Sequence, residues 1–220
     1  MARGIRENTR ATALLTLLKA TREKVVIFTR YLETLHYLAR RLESAGISAT
    51  HYHGGLSAGQ KDACIAEFER SRQVLLCTEA AGEGRNLQFC NTMVNYDLPW
   101  NPMRIEQRVG RIHRIGQERE VYIYNLSAEN TVEDYILWLL DSKINMFELV
   151  IGEMDMILGH LSDERDFEEL ITDIWLRAAT SDEVARGFDE LGEAMLRARA
   201  AYRQAQEYDE ILFGEDFTAA

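Results

Sequence analysis

Proline and cysteine are both scarce in this chain of 220 residues, at two and three respectively. Cys64, Cys77 and Cys90 are odd in number, lie far apart and form no CxxC pair, which excludes a disulfide framework and a zinc knuckle. Buried free thiols are expected instead, because an unpaired cysteine behaves as a small hydrophobe. No apolar run approaches the roughly 20 residues needed to cross a bilayer, and the N-terminus has neither a secretory apolar core nor a cleavage site. The expectation is a soluble, cytoplasmic protein without a membrane partner. Internal repeats, low-complexity tracts and Gly/Ser linkers are absent. No G-x-G-x-x-G follows the first predicted strand, so a dinucleotide-binding Rossmann domain is set aside.

The charge that is present is unevenly placed. The formal net charge is −11. Residues 1–125 hold 18 Lys/Arg against 13 Asp/Glu, whereas residues 126–220 hold 7 against 23. A basic front and an acidic back imply that only the front meets phosphate, while the back repels it or docks on a basic partner.

Short β-branched or apolar runs alternate with helical patterns along the front. Residues 8–21 carry Leu14, Leu15, Leu17 and Leu18 at helical spacing. Val25–Thr29 reads as a buried parallel strand, Tyr31 to Ala45 as an amphipathic helix ending at Gly46, and Ile47 to His53 as a second strand. His53-Gly54-Gly55 is a loop in which glycine permits close backbone approach. Ser57 and Gln60 have capping-box spacing for a helix reaching about Glu69, and strands follow at 73–77, 92–96 and 120–126. Such alternation predicts an α/β fold with a parallel sheet, whose ligands sit at the carboxyl ends of the strands. Beyond it, Thr131 and Asp134 match a capping pattern ahead of one long helix bearing Val132, Tyr135, Ile136, Leu139, Leu140, Ile144, Phe147 and Val150. Two or three more helices are expected over residues 162–212, with Ser162 and the Thr180/Glu183 pair as start signals.

Two stretches carry chemistry. After the third strand, Thr78-Glu79-Ala80-Ala81-Gly82-Glu83-Gly84-Arg85-Asn86 places two glycines where backbone N–H groups can face an anion, or simply make a tight turn. After the fourth strand, Asp97-Leu98-Pro99-Trp100-Asn101-Pro102 holds both prolines in a stiff turn, and Pro102 can open a helix. Trp100 there is read as packing on the surface, with stacking on a base or sugar as the alternative. The helix leads into Gln107-Arg108-Val109-Gly110-Arg111-Ile112-His113-Arg114-Ile115-Gly116-Gln117. At about 100° per residue Arg104, Gln107, Arg111 and Arg114 share one stripe and Arg108 points elsewhere, bracing the loop. A row of guanidiniums suits a polyphosphate, since each fork bonds phosphate oxygens bidentately; a solvated basic face has the same spacing.

The string QRVGRIHRIGQ resembles motif VI of superfamily 2 helicases and translocases, and its IHRIGQ ending is similar to the Swi/Snf-type branch. In the same order, Val25–Thr29 resembles motif IV, the segment Thr78–Gln88 resembles motif V, and DLPWNP resembles the D-x-x-W-N-P element. Together these cover roughly residues 20 to 126. The resemblance implies a second, RecA-like lobe over residues 23–160, preceded by an opening helix (1–22) and followed by an acidic, all-helical extension (161–220). It also implies roles. Arg111 and Arg114 match arginine-finger positions reaching the γ-phosphate of ATP, and Gln107 matches the residue that helps position the attacking water. Gly82, Gly84 and Asn86 line the nucleotide, while Thr78, Thr29 and Gly54 contact the nucleic-acid backbone. His113 is read as structural.

Equally informative is what the chain lacks for that chemistry. It has no G-x-x-x-x-G-K-[ST], and its Asp-Glu pairs sit in polar helical stretches and do not follow a buried strand. The ligands for Mg2+ are therefore expected in a first lobe N-terminal to this one, which becomes a partner along with duplex DNA and a possible protein partner for the acidic helices. Pro99-Trp100 stands where eukaryotic remodellers usually show Trp-Trp, and the QRxGR form is closer to bacterial relatives, so a bacterial duplex-DNA or transcription-complex translocase fits better than nucleosome remodelling. Two alternatives remain: a lobe of a DEAD-box RNA helicase, whose motif VI usually begins with His where Gln107 stands, and a non-catalytic protein-interaction module.

Overall fold

The computed structural model describes residues 8–78, 87–113, 119–146, 152–161 and 166–213, with side chains as far as residue 208. Elements run in the order α1 (Thr9–Ala20), β1 (Val25–Thr29), α2 (Leu32–Ser44), β2 (Ala49–Tyr52), α3 (Ala58–Arg70), β3 (Val74–Thr78), β4 (Thr92–Asn95), α4 (Pro102–Ile112), β5 (Tyr122–Asn125) and α5 (Val132–Trp138). A π-helical turn (Leu139–Lys143), α6 (Glu153–Gly159), α7 (Phe167–Arg177) and α8 (Ser181–Phe213) complete it. These form two compact units, one from residues up to Pro99 with Gln107–Glu129, the other from Trp100–Glu106 and from Asn130 onward.

The first unit is a five-stranded parallel sheet in the order β2-β3-β1-β4-β5 with helices on both faces. Alternation along the strands separates two cores. Val25, Ile27, Val74, Leu76 and Val94 pack with Leu14 and Leu18 of α1 and Leu35, Leu38 and Leu42 of α2. Val26, Phe28, Leu75, Cys77 and Met93 pack with Phe68 of α3 and Ile112 of α4 on the opposite face. Local chemistry sets the helix ends. Asn8 accepts from the Ala11 N–H at 3.1 Å, Ser57 and Gln60 complete their capping box, and Gly46 adopts φ 71° just past α2. Lys24 donates to the Phe68 and Arg72 carbonyls at 2.6 and 3.0 Å, placing a cation at the carboxyl end of α3 just before β1 begins.

The second unit is helical, and here the sequence expectation needs correction. The apolar period from Val132 to Ile144 marks buried positions as expected, yet the single long helix is broken: α5 passes into the π-helical turn and Asn145 takes a left-handed φ of 50°. The next described helix, α6, follows Gly152, which takes φ 101°. Periodicity reports which side is buried and is blind to a left-handed residue between turns. Phe147 and Val150 lie outside the described residues. Thr131 precedes α5 without a side-chain cap; Asp134 instead accepts from the Asn130 N–H at 3.1 Å. Asp166 caps α7 by accepting from the Glu169 N–H, and Ser162 lies outside the described residues; the Thr180/Glu183 signal holds, since the Glu183 N–H donates to Thr180 Oγ1 at 3.3 Å and Glu183 accepts from Ala179 N–H at 2.7 Å. Tyr135 of α5 stacks on Phe188 of α8 at 5.2 Å, joining these two helices.

Candidate functional site

In a sheet ordered β2-β3-β1-β4-β5 the chain leaves β3 on one side of β1 and re-enters at β4 on the other, so the carboxyl ends of β1, β3 and β4 flank a switch point where α/β proteins bind ligands. Thr29 and Thr78 end adjacent strands in register, and Gly54 lies in the exposed turn after the next strand, β2. The fold thus gathers Thr29, Thr78 and Gly54 on one half of the sheet edge. They are not equally accessible. Thr78 is 7% exposed, and Thr29 is fully buried with its hydroxyl donating to Asp97 Oδ2 at 2.5 Å. A phosphate contact by Thr29 would require that bond to break; the next residue, Arg30, is exposed.

Asp97 is the hub of this edge. Its Oδ2 also accepts the Arg30 N–H at 3.1 Å, and its Oδ1 faces Arg10 Nη1 at 3.5 Å. Arg10 in turn donates to the Tyr96 carbonyl at 3.3 Å. Beside these lies a cleft of about 760 Å³ lined by Arg10, Glu33, Thr34, Tyr37, Asp97 and Ser127, among others. Burial pushes the Tyr96 hydroxyl, at its margin, up to about 12.

The helix after this edge sorts its polar residues by direction. Asn101 Oδ1 accepts the Met103 N–H at 2.9 Å and shapes the first turn, where Pro102 opens α4 as expected. Ile105, Arg108 and Ile112 are buried at the 3–4 residue spacing of one face, whereas Arg104 and Gln107 are exposed and Arg111 is partly so. Arg108 Nη1 donates to Asn95 Oδ1 at 2.6 Å and to the Asp97 carbonyl at 3.0 Å, with its guanidinium 5.1 Å from the Phe28 ring centre. Asn95 passes the link on, its amide donating to Asn125 Oδ1 at 2.7 Å. Arg108 therefore ties the ends of β4 and β5 to α4, leaving Arg104, Gln107 and Arg111 on the outer side.

Gly82, Gly84, Asn86 and Arg114 lie outside the described residues. Among those described, the sequence reading passed over Asp97, Arg10 and Asn95. A carboxylate directly after a buried strand was a signal for Asp97; Arg10 lies 87 positions earlier and nothing local joins them. The described residues contain no group of three or more His, Cys, Asp or Glu placed to hold a metal ion. No described helix is long and apolar enough to cross a membrane.

Residues 9–116 match the family described as the helicase conserved C-terminal domain. The chain is 49% identical over 187 residues to the "uncharacterized ATP-dependent helicase YqhH" of Bacillus subtilis (strain 168), covering 85% of this chain and 33% of that protein. It is 40% identical over 160 residues to the RNA polymerase-associated protein RapA of Vibrio vulnificus (strain YJ016), covering 70% of this chain and 16% of the relative. The chain thus spans a third or less of these two relatives. Among solved structures, the C-terminal part of the Fun30 ATPase domain superposes with a TM-score of 0.57 at 26% identity, over 76% of this chain and 55% of the other.

Proposed function

Because this chain belongs to the helicase conserved C-terminal domain family, as the second, RecA-like lobe of a Swi/Snf-type superfamily 2 ATPase, we propose that it works as half of a motor that hydrolyses ATP and moves along duplex DNA. One observation carries the reading: α4 turns Arg108 into the sheet and leaves Arg104, Gln107 and Arg111 on its other side. An inward guanidinium is scaffolding. An outward row, beside an amide, fits an anionic polyphosphate.

In this mechanism a first lobe supplies the lysine and the Mg2+ ligands, and the nucleotide lies between the lobes. The bound ATP and Mg2+ supply the phosphoryl group and neutralise its charge. Arg111, with Arg114, stabilises charge developing on the γ-phosphate, an effect of about 10³–10⁵ in rate for arginine fingers generally. Gln107 orients water, and Gly82, Gly84 and Asn86 approach the nucleotide by their backbone. Thr78 and Gly54 hold the DNA backbone through contacts that carry no sequence information, with Arg30 taking the place that the buried Thr29 hydroxyl leaves. Closing and opening of the lobes then advances the grip. The acidic back half, by likeness to a relative named for its association with RNA polymerase, meets a protein partner.

ATP hydrolysis by the chain extended to include its first lobe, with and without duplex DNA, tests this. DNA-stimulated turnover should collapse in Arg111→Ala while nucleotide binding survives. A mutant hydrolysing ATP as fast as the parent removes Arg111 from the transition state and favours an interaction module.

A further inference from the structure

Between α7 and α8 the helical unit holds an open groove of about 520 Å³, lined by none of the residues assigned above to ATP or DNA. Leu170, Ile174 and Leu191 give it an apolar floor, and Asp173, Glu183 and Glu190 line it with carboxylates. Gly187 shapes that floor: a Cβ there would come within 2.7 Å of Ile174 Cγ2, so the bare glycine lets the two helices close up. Arg177, the one guanidinium among the described lining residues, sits 2.9 Å from Asp173, which leaves the described lining negative.

We propose that this groove is the docking site for a basic, amphipathic helix of a protein partner, with apolar side chains on its floor and lysines or arginines against Glu183 and Glu190. The inference rests on the reading that the acidic half meets a protein, and it names the place. Charge decides the class of partner. Residues 126–220 hold 23 carboxylates against 7 cations, so this surface repels nucleic acid at a distance and attracts a polycation. Shape decides the form. α7 has 11 residues, a length of about 16 Å, which accommodates roughly three turns of a helix laid alongside it. An apolar floor under a charged rim is the arrangement in which a few desolvated anchors carry affinity and the charges set partner choice.

The test uses the whole chain and a fluorescein-labelled helical peptide with leucines along one face and lysines along the other, followed by anisotropy. The unaltered chain should bind it, more weakly as salt rises. Glu190→Lys, at an exposed groove position, should weaken binding by at least about tenfold. Glu207→Lys makes the same charge change on α8 at an exposed position outside the groove and should stay within about twofold. Equal losses in the two variants, with circular dichroism unchanged, would sink the groove while sparing the broader reading of an acidic docking half. No binding by the unaltered chain, even at low salt, would sink both.

Discussion

Arg108 and Asn95 are joined by a 2.6 Å hydrogen bond inside the sheet edge, where the guanidinium of a helix residue fastens the last residue of β4. Arg108 belongs to the same arginine run as Arg111, yet the two differ in burial, and truncating them should separate stability from activity. Arg108→Ala leaves the Asn95 oxygen and the Asp97 carbonyl without their shared donor in a buried setting, and should cost about 2–4 kcal/mol. Arg111→Ala should stay within about 1 kcal/mol of the parent. Urea unfolding of the chain measures both; equal losses would mean that the sorting of arginines along α4 has no energetic content.

Two helical glycines predict opposite responses to alanine. At Gly59 in α3 an added Cβ meets nothing within 4 Å, so Gly59→Ala should stabilise by up to about 1 kcal/mol through helix propensity. At Gly187 the same methyl strikes Ile174, a stiff β-branched side chain that cannot swing its Cγ2 away at low cost. Overpacking of about 1–3 kcal/mol outweighs the propensity gain, and Gly187→Ala should unfold at lower urea. A stabilised Gly187→Ala would show that α7 and α8 separate without resistance.

The cysteines should differ sharply in reactivity. Burial pushes the Cys90 thiol up to about 11 and the Cys77 thiol higher still, and Cys90 Sγ donates to the Lys24 carbonyl at 3.0 Å. Cys64 is only partly buried, a departure from the expectation that all three are enclosed. Maleimide at about pH 7.5 should therefore modify Cys64 first and reach Cys77 and Cys90 only in denaturant. Mass spectrometry of the labelled peptides reads the order, and early labelling of Cys77 would contradict the closed core of the α3 face.

His51 gives stability a pH dependence whose sign is fixed. Partial desolvation of this surface-reaching ring lowers its pKa from 6.5, and His36, His53 and Arg72 nearby lower it further, against an opposing pull from Glu43. The unfolded chain thus takes up the proton first. This contribution is intact above about pH 6.5 and is lost as pH falls through the window down to the folded-state value. His51→Gln should flatten the decline in urea midpoint between about pH 7 and 5. An unchanged slope would assign the acid sensitivity to other groups.

Much of the fold was legible because its signals are short-ranged. The limits of β1, the Ser57/Gln60 capping box, the helix end at Gly46 and the parallel α/β alternation each depend on residues a few positions apart. So does the order of the segments that resemble helicase motifs, which the family match over residues 9–116 supports. Tertiary structure decided what depends on distant partners. It buried the Thr29 hydroxyl against Asp97, 68 positions away, and set Arg10 on the same carboxylate from 87 positions before it. It likewise broke the helix after Ile144 at a left-handed asparagine, and brought Ile174 onto the bare Cα of Gly187. Local pattern fixes which face of an element is buried, because that follows from its own period; which atom meets it there follows only from packing against chain that lies far off in sequence.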